Sequence, residues 1–232
     1  MGQRLRESTD NQTMITAKTG VKTLPGLVLD GAGDDQKARL RRVFYERRRA
    51  AVLEQPQLVS LLARALVQWL DGFCASGSPV CLGIYRPFRS EPDLTAALAD
   101  WAAAAAGRRL CVPVVEAGAG RRMHYALWSP QTPMKRGAFG IEEPLEDVPV
   151  QPDVILSPCV AVSRTGLRLG NGGGYFDRYL SARRAAGCAP AATVAVALEA
   201  LVLEEAGVSL AAEDFDVAFD WVATEAGVSP VR

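Results

Sequence analysis

The chain has 232 residues, enough to bury a substantial core as one large α/β domain or two small ones. Hydrophobic residues make up 49% and charged residues 22%, which excludes a collagen, a coiled coil and a wholly disordered chain. Lys plus Arg and Asp plus Glu number 26 each, so the formal net charge of +0 argues against broad nucleic-acid binding. No apolar run approaches the roughly 20 residues of a membrane-spanning helix.

The charge is unevenly spread. Residues 37–49 hold seven bases against one acid, Glu46, whereas residues 199–225 hold eight acids and no base. The first stretch suits an anion and the second a cation. The five cysteines lack C-x-x-C spacing and the single histidine is His124, so a Cys/His zinc site is not expected. Unpaired thiols in apolar runs fit a reducing cytoplasm.

Residues 1–33 are polar and mixed and read as a flexible extension. From there the pattern predicts one domain over 34–228 and a short tail at 229–232. Asp34 or Asp35 would cap a helix continuing through 37–51, which places Lys37 and Arg41 on one face. A solvated helix face is an equally simple reading of those charges, and of Arg47 to Arg49 after them. Leu58, Leu61, Leu62, Ala65, Leu66 and Trp69 give a second helix its apolar stripe over 57–74.

A buried strand follows at 80–85, then an alanine-rich helix over 93–106 closed by Gly107. Strands are predicted at 109–115 and 123–128. Residues 129–152 carry five prolines and read as a long irregular connection. Further on come a strand at 154–162, a helix at 175–186, a strand at 193–198 and a last short strand at 216–223. Strands alternating with helices predict a single α/β domain. Its central sheet is mixed but mostly parallel, with helices on both faces.

The most informative stretch is Arg168-Leu169-Gly170-Asn171-Gly172-Gly173-Gly174-Tyr175-Phe176-Asp177-Arg178, between a predicted strand and a predicted helix. Glycines allow positive φ and close approach of the backbone to a ligand. Successive N–H groups leading into a helix N-terminus form a phosphate cradle. The pattern is neither a Walker A loop nor a dinucleotide fingerprint. On the residues alone it is either a ligand-free tight turn or a phosphate site. Arg168 as a fixed cation and Asp177 as a carboxylate one turn on favour phosphates with a magnesium ion.

With these residues in hand, the sequence resembles the 5-formyltetrahydrofolate cyclo-ligase family, also called 5,10-methenyltetrahydrofolate synthetases. The 168–178 stretch is similar to that family's signature. The likeness extends to Lys37-x-x-Leu40-Arg41, Tyr85-x-Pro87 with Glu91, Pro113, Met123, Gly140-Ile141 with Glu143-Pro144, and Asp216, Asp220 and Thr224-Glu225. It covers about residues 35–228.

The resemblance implies ATP-dependent closure of 5-formyltetrahydrofolate to 5,10-methenyltetrahydrofolate, with ATP phosphorylating the formyl oxygen and ADP and phosphate released. It implies ATP contacts from Lys37, Arg41, Arg168, Gly170, Asn171, Gly172, Gly173, Gly174, Tyr175 and Phe176, with Arg168 and Asp177 serving catalysis. Glu91, Met123 and Tyr175 would meet the reduced folate, and Asp177 and Asp216 would hold Mg2+. The expected partners are ATP and folate, with no nucleic acid and no membrane. A monomer is expected, and a homodimer stays open.

The chain departs from the family pattern at Val162-Ser163, Asn171, Phe176 and Phe215. A nucleotide- or folate-binding relative without turnover is therefore the alternative. Residue by residue, Asp177 could instead pair with Arg178, Asp216 and Asp220 could mark the polar face of an edge strand, and Met123 could be core.

Overall fold

A computed structural model describes residues 34–75, 80–116, 118 and 120–232. The expected extension at 1–33, and the side chains of Asp34 and Asp35, lie outside the described residues. Four α-helices are found among the described residues: α1 (Asp34–Glu54), α2 (Gln57–Phe73), α3 (Thr95–Ala103) and α4 (Tyr175–Ala185).

In chain order the strands begin with β1 (Val80–Gly83), β2 (Arg108–Val115), β3 (Met123–Trp128), β4 (Met134–Arg136), β5 (Glu142–Pro144) and β6 (Pro149–Val150). They continue with β7 (Val154–Pro158), β8 (Ala161–Val162), β9 (Arg168–Leu169), β10 (Ala192–Val196), β11 (Trp221–Thr224) and β12 (Gly227–Pro230).

Eight strands form the main sheet in the order β12-β11-β10-β7-β1-β2-β3-β6. The run from β11 to β2 is parallel, and β12, β3 and β6 are antiparallel additions at the edges. The expected mixed, mostly parallel sheet is what forms. Strands β1 and β10 are buried along their whole length, as parallel strands covered on both faces must be. That is why they read in the sequence as continuous apolar runs rather than alternating ones.

From β1 the chain moves through α3 to β2 on one side. It later returns to β7 on the other side and moves through α4 to β10. Right-handed crossovers in opposite directions put α3 and α4 on opposite faces. On one face, Leu62, Leu66 and Leu70 of α2 recur every four residues and are fully buried. Trp69 of α2 also stacks on Phe73 at 4.8 Å and meets Trp221 of β11 at 5.2 Å. On the other face, Tyr179 of α4 packs against Tyr125 of β3 at 5.4 Å. Each leucine so buried contributes about 1.5–3 kcal/mol.

The direction of travel reverses between β1 and β7. In an open α/β sheet the crevice outside the carboxyl ends of the strands at such a switch point is where ligands bind.

Several elements differ from the sequence expectation. The strand read at 154–162 ends at Pro158, and Ala161–Val162 pairs instead with Arg168–Leu169 in a two-stranded hairpin. The apolar run was continuous, but its second part packs on a different sheet. The connection at 129–152 contains the short β4–β5 hairpin and β6, all too brief to show a period.

The strand read at 216–223 is β11, which begins at Trp221 and not at Asp216. Asp216 sits in the preceding loop, and Asp220 accepts hydrogen bonds from the Thr193 N–H and hydroxyl at 2.8 and 2.6 Å. The residues read as a tail from 229 finish β12, which pairs with β11 through Pro230.

Candidate active site

A cleft of about 870 Å³ opens at the switch point. Every residue that the sequence placed in a site lines it: Lys37, Arg41, Glu91, Met123, Arg168, Gly170, Asn171, Gly172, Gly173, Gly174, Tyr175, Phe176, Asp177 and Asp216.

The glycine loop joins β9 to α4. Gly172 has φ of 90° and Gly174, immediately before α4, has φ of 62°, conformations that favour glycine. No side chain caps the α4 N-terminus, so its first backbone N–H groups face the loop without a side-chain acceptor. Arg168 Nη2 donates to Asp177 Oδ2 at 2.9 Å, and the Arg168 guanidinium lies over the Phe176 and Phe219 rings at 5.1 and 5.2 Å. Asp177 therefore pairs with Arg168, not with its neighbour Arg178. Arg178 instead donates to the Gly173 carbonyl.

Helix α1 supplies the opposite wall. Lys37 Nζ bridges Glu213 Oε2 at 2.6 Å and Asp216 Oδ2 at 3.2 Å. Burial disfavours its charge, but these two carboxylates outweigh that and hold the ammonium above its ordinary value. One turn on, Arg41 Nε donates to the Gly170 carbonyl at 2.9 Å, and one further turn on, the Tyr45 hydroxyl donates to Asn171 Oδ1 at 2.5 Å. Lys37 and Arg41 are thus fixed parts of the cleft and not a solvated face.

Glu91 is 6% exposed. Burial pushes its carboxyl above the usual carboxylate range, against the pull of the Phe88 N–H at 2.9 Å and of Arg48 at 3.8 Å. Met123 and Tyr175 give this end an apolar wall, and Phe139 meets the Tyr175 ring edge-on at 6.0 Å. One end of the cleft thus gathers the glycine loop with Lys37, Arg41 and Arg168 and the carboxylates that hold them, while the other sets buried Glu91 beside the apolar faces of Met123 and Tyr175.

The geometry also adds residues that the sequence reading left out. Arg48, read as solvent-facing, is fully buried and donates to the Cys159 carbonyl at 3.1 Å. Its signal was present: Leu40, Phe44 and Arg48 recur every four residues and all have no exposure. Glu213 and Tyr45 reach Lys37 and Asn171 through contacts 176 and 126 positions apart in the chain, which no local pattern encodes. Phe139 takes a left-handed conformation, φ 57°, and it and Phe215 are exposed aromatics on the rim. His124 bonds Asp147 and lies outside the cleft lining. Among the described residues no group of three or more His, Cys, Asp or Glu gathers as a metal cage.

A profile of the 5-formyltetrahydrofolate cyclo-ligase family matches residues 34–225. The chain belongs to the 5-formyltetrahydrofolate cyclo-ligase family. Among curated cyclo-ligases, one from Mycolicibacterium smegmatis is 36% identical over 197 residues, covering 81% of this chain and 93% of that protein. One from Escherichia coli K12 is 28% identical over 144 residues, covering 60% and 76%.

The solved structure of the Aquifex aeolicus 5,10-methenyltetrahydrofolate synthetase superposes with a TM-score of 0.64 at 26% identity, covering 84% of this chain and 93% of that one. A Mycoplasma pneumoniae 5,10-methenyltetrahydrofolate synthetase, at 19% identity and a TM-score of 0.61, shares the fold over 82% and 98%. The cyclo-ligase fold is therefore the one described above, and the chain is a member of an enzyme family.

Proposed function

We propose that this chain closes 5-formyltetrahydrofolate to 5,10-methenyltetrahydrofolate at the expense of ATP, releasing ADP and phosphate. The observation that carries the proposal is the two-ended cleft: a glycine loop with flanking cations at one end, and Glu91 with an apolar wall at the other.

A formyl oxygen on nitrogen is a poor leaving group. Its attack on the γ-phosphorus expels ADP and converts it into a phosphate ester. The N10 nitrogen then attacks the same carbon and gives up its proton to solvent or to the departing phosphate, the C–O bond breaks, and phosphate leaves with the oxygen. Such transfer depends on positioning and charge neutralisation more than on a protein nucleophile.

Lys37, Arg41 and Arg168 would neutralise the phosphates, and the amides of Gly170, Asn171, Gly172, Gly173 and Gly174, with Tyr175 and Phe176 at the start of α4, would cradle them. Glu91 would accept hydrogen bonds from the pterin, with Met123 and Tyr175 along its faces.

The donor set fits magnesium. Asp177 and Asp216 are hard oxygen donors lining the same cleft, and this ion ordinarily takes one or two carboxylates plus phosphates and waters. The ion would supply neutralisation of phosphate charge during transfer. The cysteines among the described residues are all free thiols, which supports a cytoplasmic setting. Among the described residues no helix is long and apolar enough to cross a membrane.

Purified protein mixed with 5-formyltetrahydrofolate and Mg-ATP should develop the methenyl product's near-ultraviolet absorbance, and only when both are present. No signal at saturating concentrations rejects the proposal. Asn171, standing where the family usually has a basic residue or Tyr, favours a second reading, ligand binding without turnover. Calorimetric binding of both ligands with no product would establish it.

A further inference from the structure

Asn171 touches both halves of the cleft. Its Oδ1 accepts from the Tyr45 hydroxyl at 2.5 Å and its Nδ2 donates to Glu91 Oε1 at 3.3 Å. The direction of the amide follows from chemistry. An ionised carboxylate only accepts, so the NH2 group must face Glu91 and the oxygen must face Tyr45.

Glu91 is buried and anchored at one oxygen, Oε2. Its side chain is 2% exposed, its Oε2 takes the Phe88 N–H at 2.9 Å, and the fully buried Arg48 guanidinium stands 3.8 Å from the oxygen that Asn171 reaches. On the loop side, Asn171 lies between Gly170 and Gly172, whose backbones are intrinsically free to move. Two adjacent loop residues are pinned to successive turns of α1, Gly170 by Arg41 and Asn171 by Tyr45. The conformation of the phosphate loop and the position of the buried carboxylate are thus joined through one side-chain amide.

We propose that Asn171 is a positioning residue that couples nucleotide binding to folate binding. A nucleotide seated in the loop fixes Asn171. Asn171 then holds Glu91 Oε1 in the pose that the pterin meets, so each ligand strengthens binding of the other. This inference rests on the cyclo-ligase reading above. It also accounts for a small neutral residue at a position where a phosphate-binding loop would gain more from a cation.

The test is a set of calorimetric titrations. 5-Formyltetrahydrofolate is titrated into the protein with and without the Mg2+ complex of an ATP analogue whose β and γ phosphorus atoms are bridged by nitrogen. The reverse titration is done as well. The expected result is an affinity ratio of about 5 or more, the same in both directions, because binding free energies are reciprocally linked.

In Asn171→Ala the ratio should fall to within about 2 of unity, and Tyr45→Phe, which removes only one hydroxyl, should lower it part-way. A merely structural role would weaken the single-ligand affinities and leave the ratio standing. A ratio of one in the unaltered protein, or an undiminished ratio in Asn171→Ala, overturns the coupling while leaving the cyclo-ligase reading intact. Failure of either ligand to bind alone overturns both.

Discussion

Replacing Arg48 by Met tests how the buried end of the cleft is held. Met keeps an unbranched side chain in a slot with no solvent exposure, so packing is largely preserved while the charge goes. The Cys159 carbonyl loses its 3.1 Å donor, which costs about 1–3 kcal/mol for a buried acceptor left unpaired. Glu91, 3.8 Å away, loses an attraction of about 4 kcal/mol at an effective dielectric near 20.

Against these losses stands the relief of desolvating the guanidinium, the largest influence on Arg48 and the one that lowers its proton affinity. Removing one partner of a buried pair leaves a net loss of about 3 kcal/mol. That corresponds to a fall in Tm of roughly 6–12 °C for a chain of this size.

The pH dependence supplies the sharper check. Burial sets the folded-state proton affinity of Glu91 above its ordinary value, and Arg48 pulls it back down. The stability that such a group contributes is fully present below its unfolded value and is lost as pH rises through the folded value. Without Arg48 the folded value moves further up and the loss at high pH deepens. Thermal unfolding followed by circular dichroism should therefore show a larger deficit at about pH 8 than at about pH 4. Equal deficits at the two ends, or a Tm shift under about 2 °C, would refute the ion-pair reasoning.

Gly172→Val forces a branched side chain onto a backbone at φ 90°, costing about 1–2 kcal/mol and lowering nucleotide affinity by roughly 10-fold; an unchanged calorimetric affinity removes the loop from the phosphate site. Asp177→Ala leaves the Arg168 side chain, 6% exposed, without its carboxylate, and should cut product formation by on the order of 100-fold; full turnover would take Asp177 out of the site. Treatment with EDTA should abolish product absorbance and added Mg2+ should restore it; activity that survives chelation contradicts the metal assignment. Gly166→Ala would place a Cβ 2.3 Å from the Phe219 carbonyl at φ 81°, lowering Tm without touching the cleft, and an unmoved Tm would contradict that packing.

What could be read from the sequence followed from the range of the interactions. The parallel strands were legible because burial on both faces leaves a continuous apolar run, and the glycine loop because its backbone demands a residue type. Lys37 and Arg41 were legible as a pair one helical turn apart. Arg48 was misread because an arginine beside two others resembles a solvated charge run, although its spacing from Leu40 and Phe44 marked the buried stripe. The break at Pro158 was hidden because consecutive apolar residues serve two different sheets. Glu213 and Tyr45 gained roles only from partners far along the chain, as did the edge strand β12 from the residues it covers.

Lys37 and Asp216 stand 179 positions apart and meet at 3.2 Å. A ribosome therefore releases the second of them long after the first. Until then the nascent polypeptide carries a basic helix whose acidic counterpart has not yet been made, and the cleft they share stays open. Small molecules that stabilise the finished enzyme act by mass action on the native state alone, so they give no shelter to prematurely terminated products, which chaperones and proteases meet with the cleft half-built.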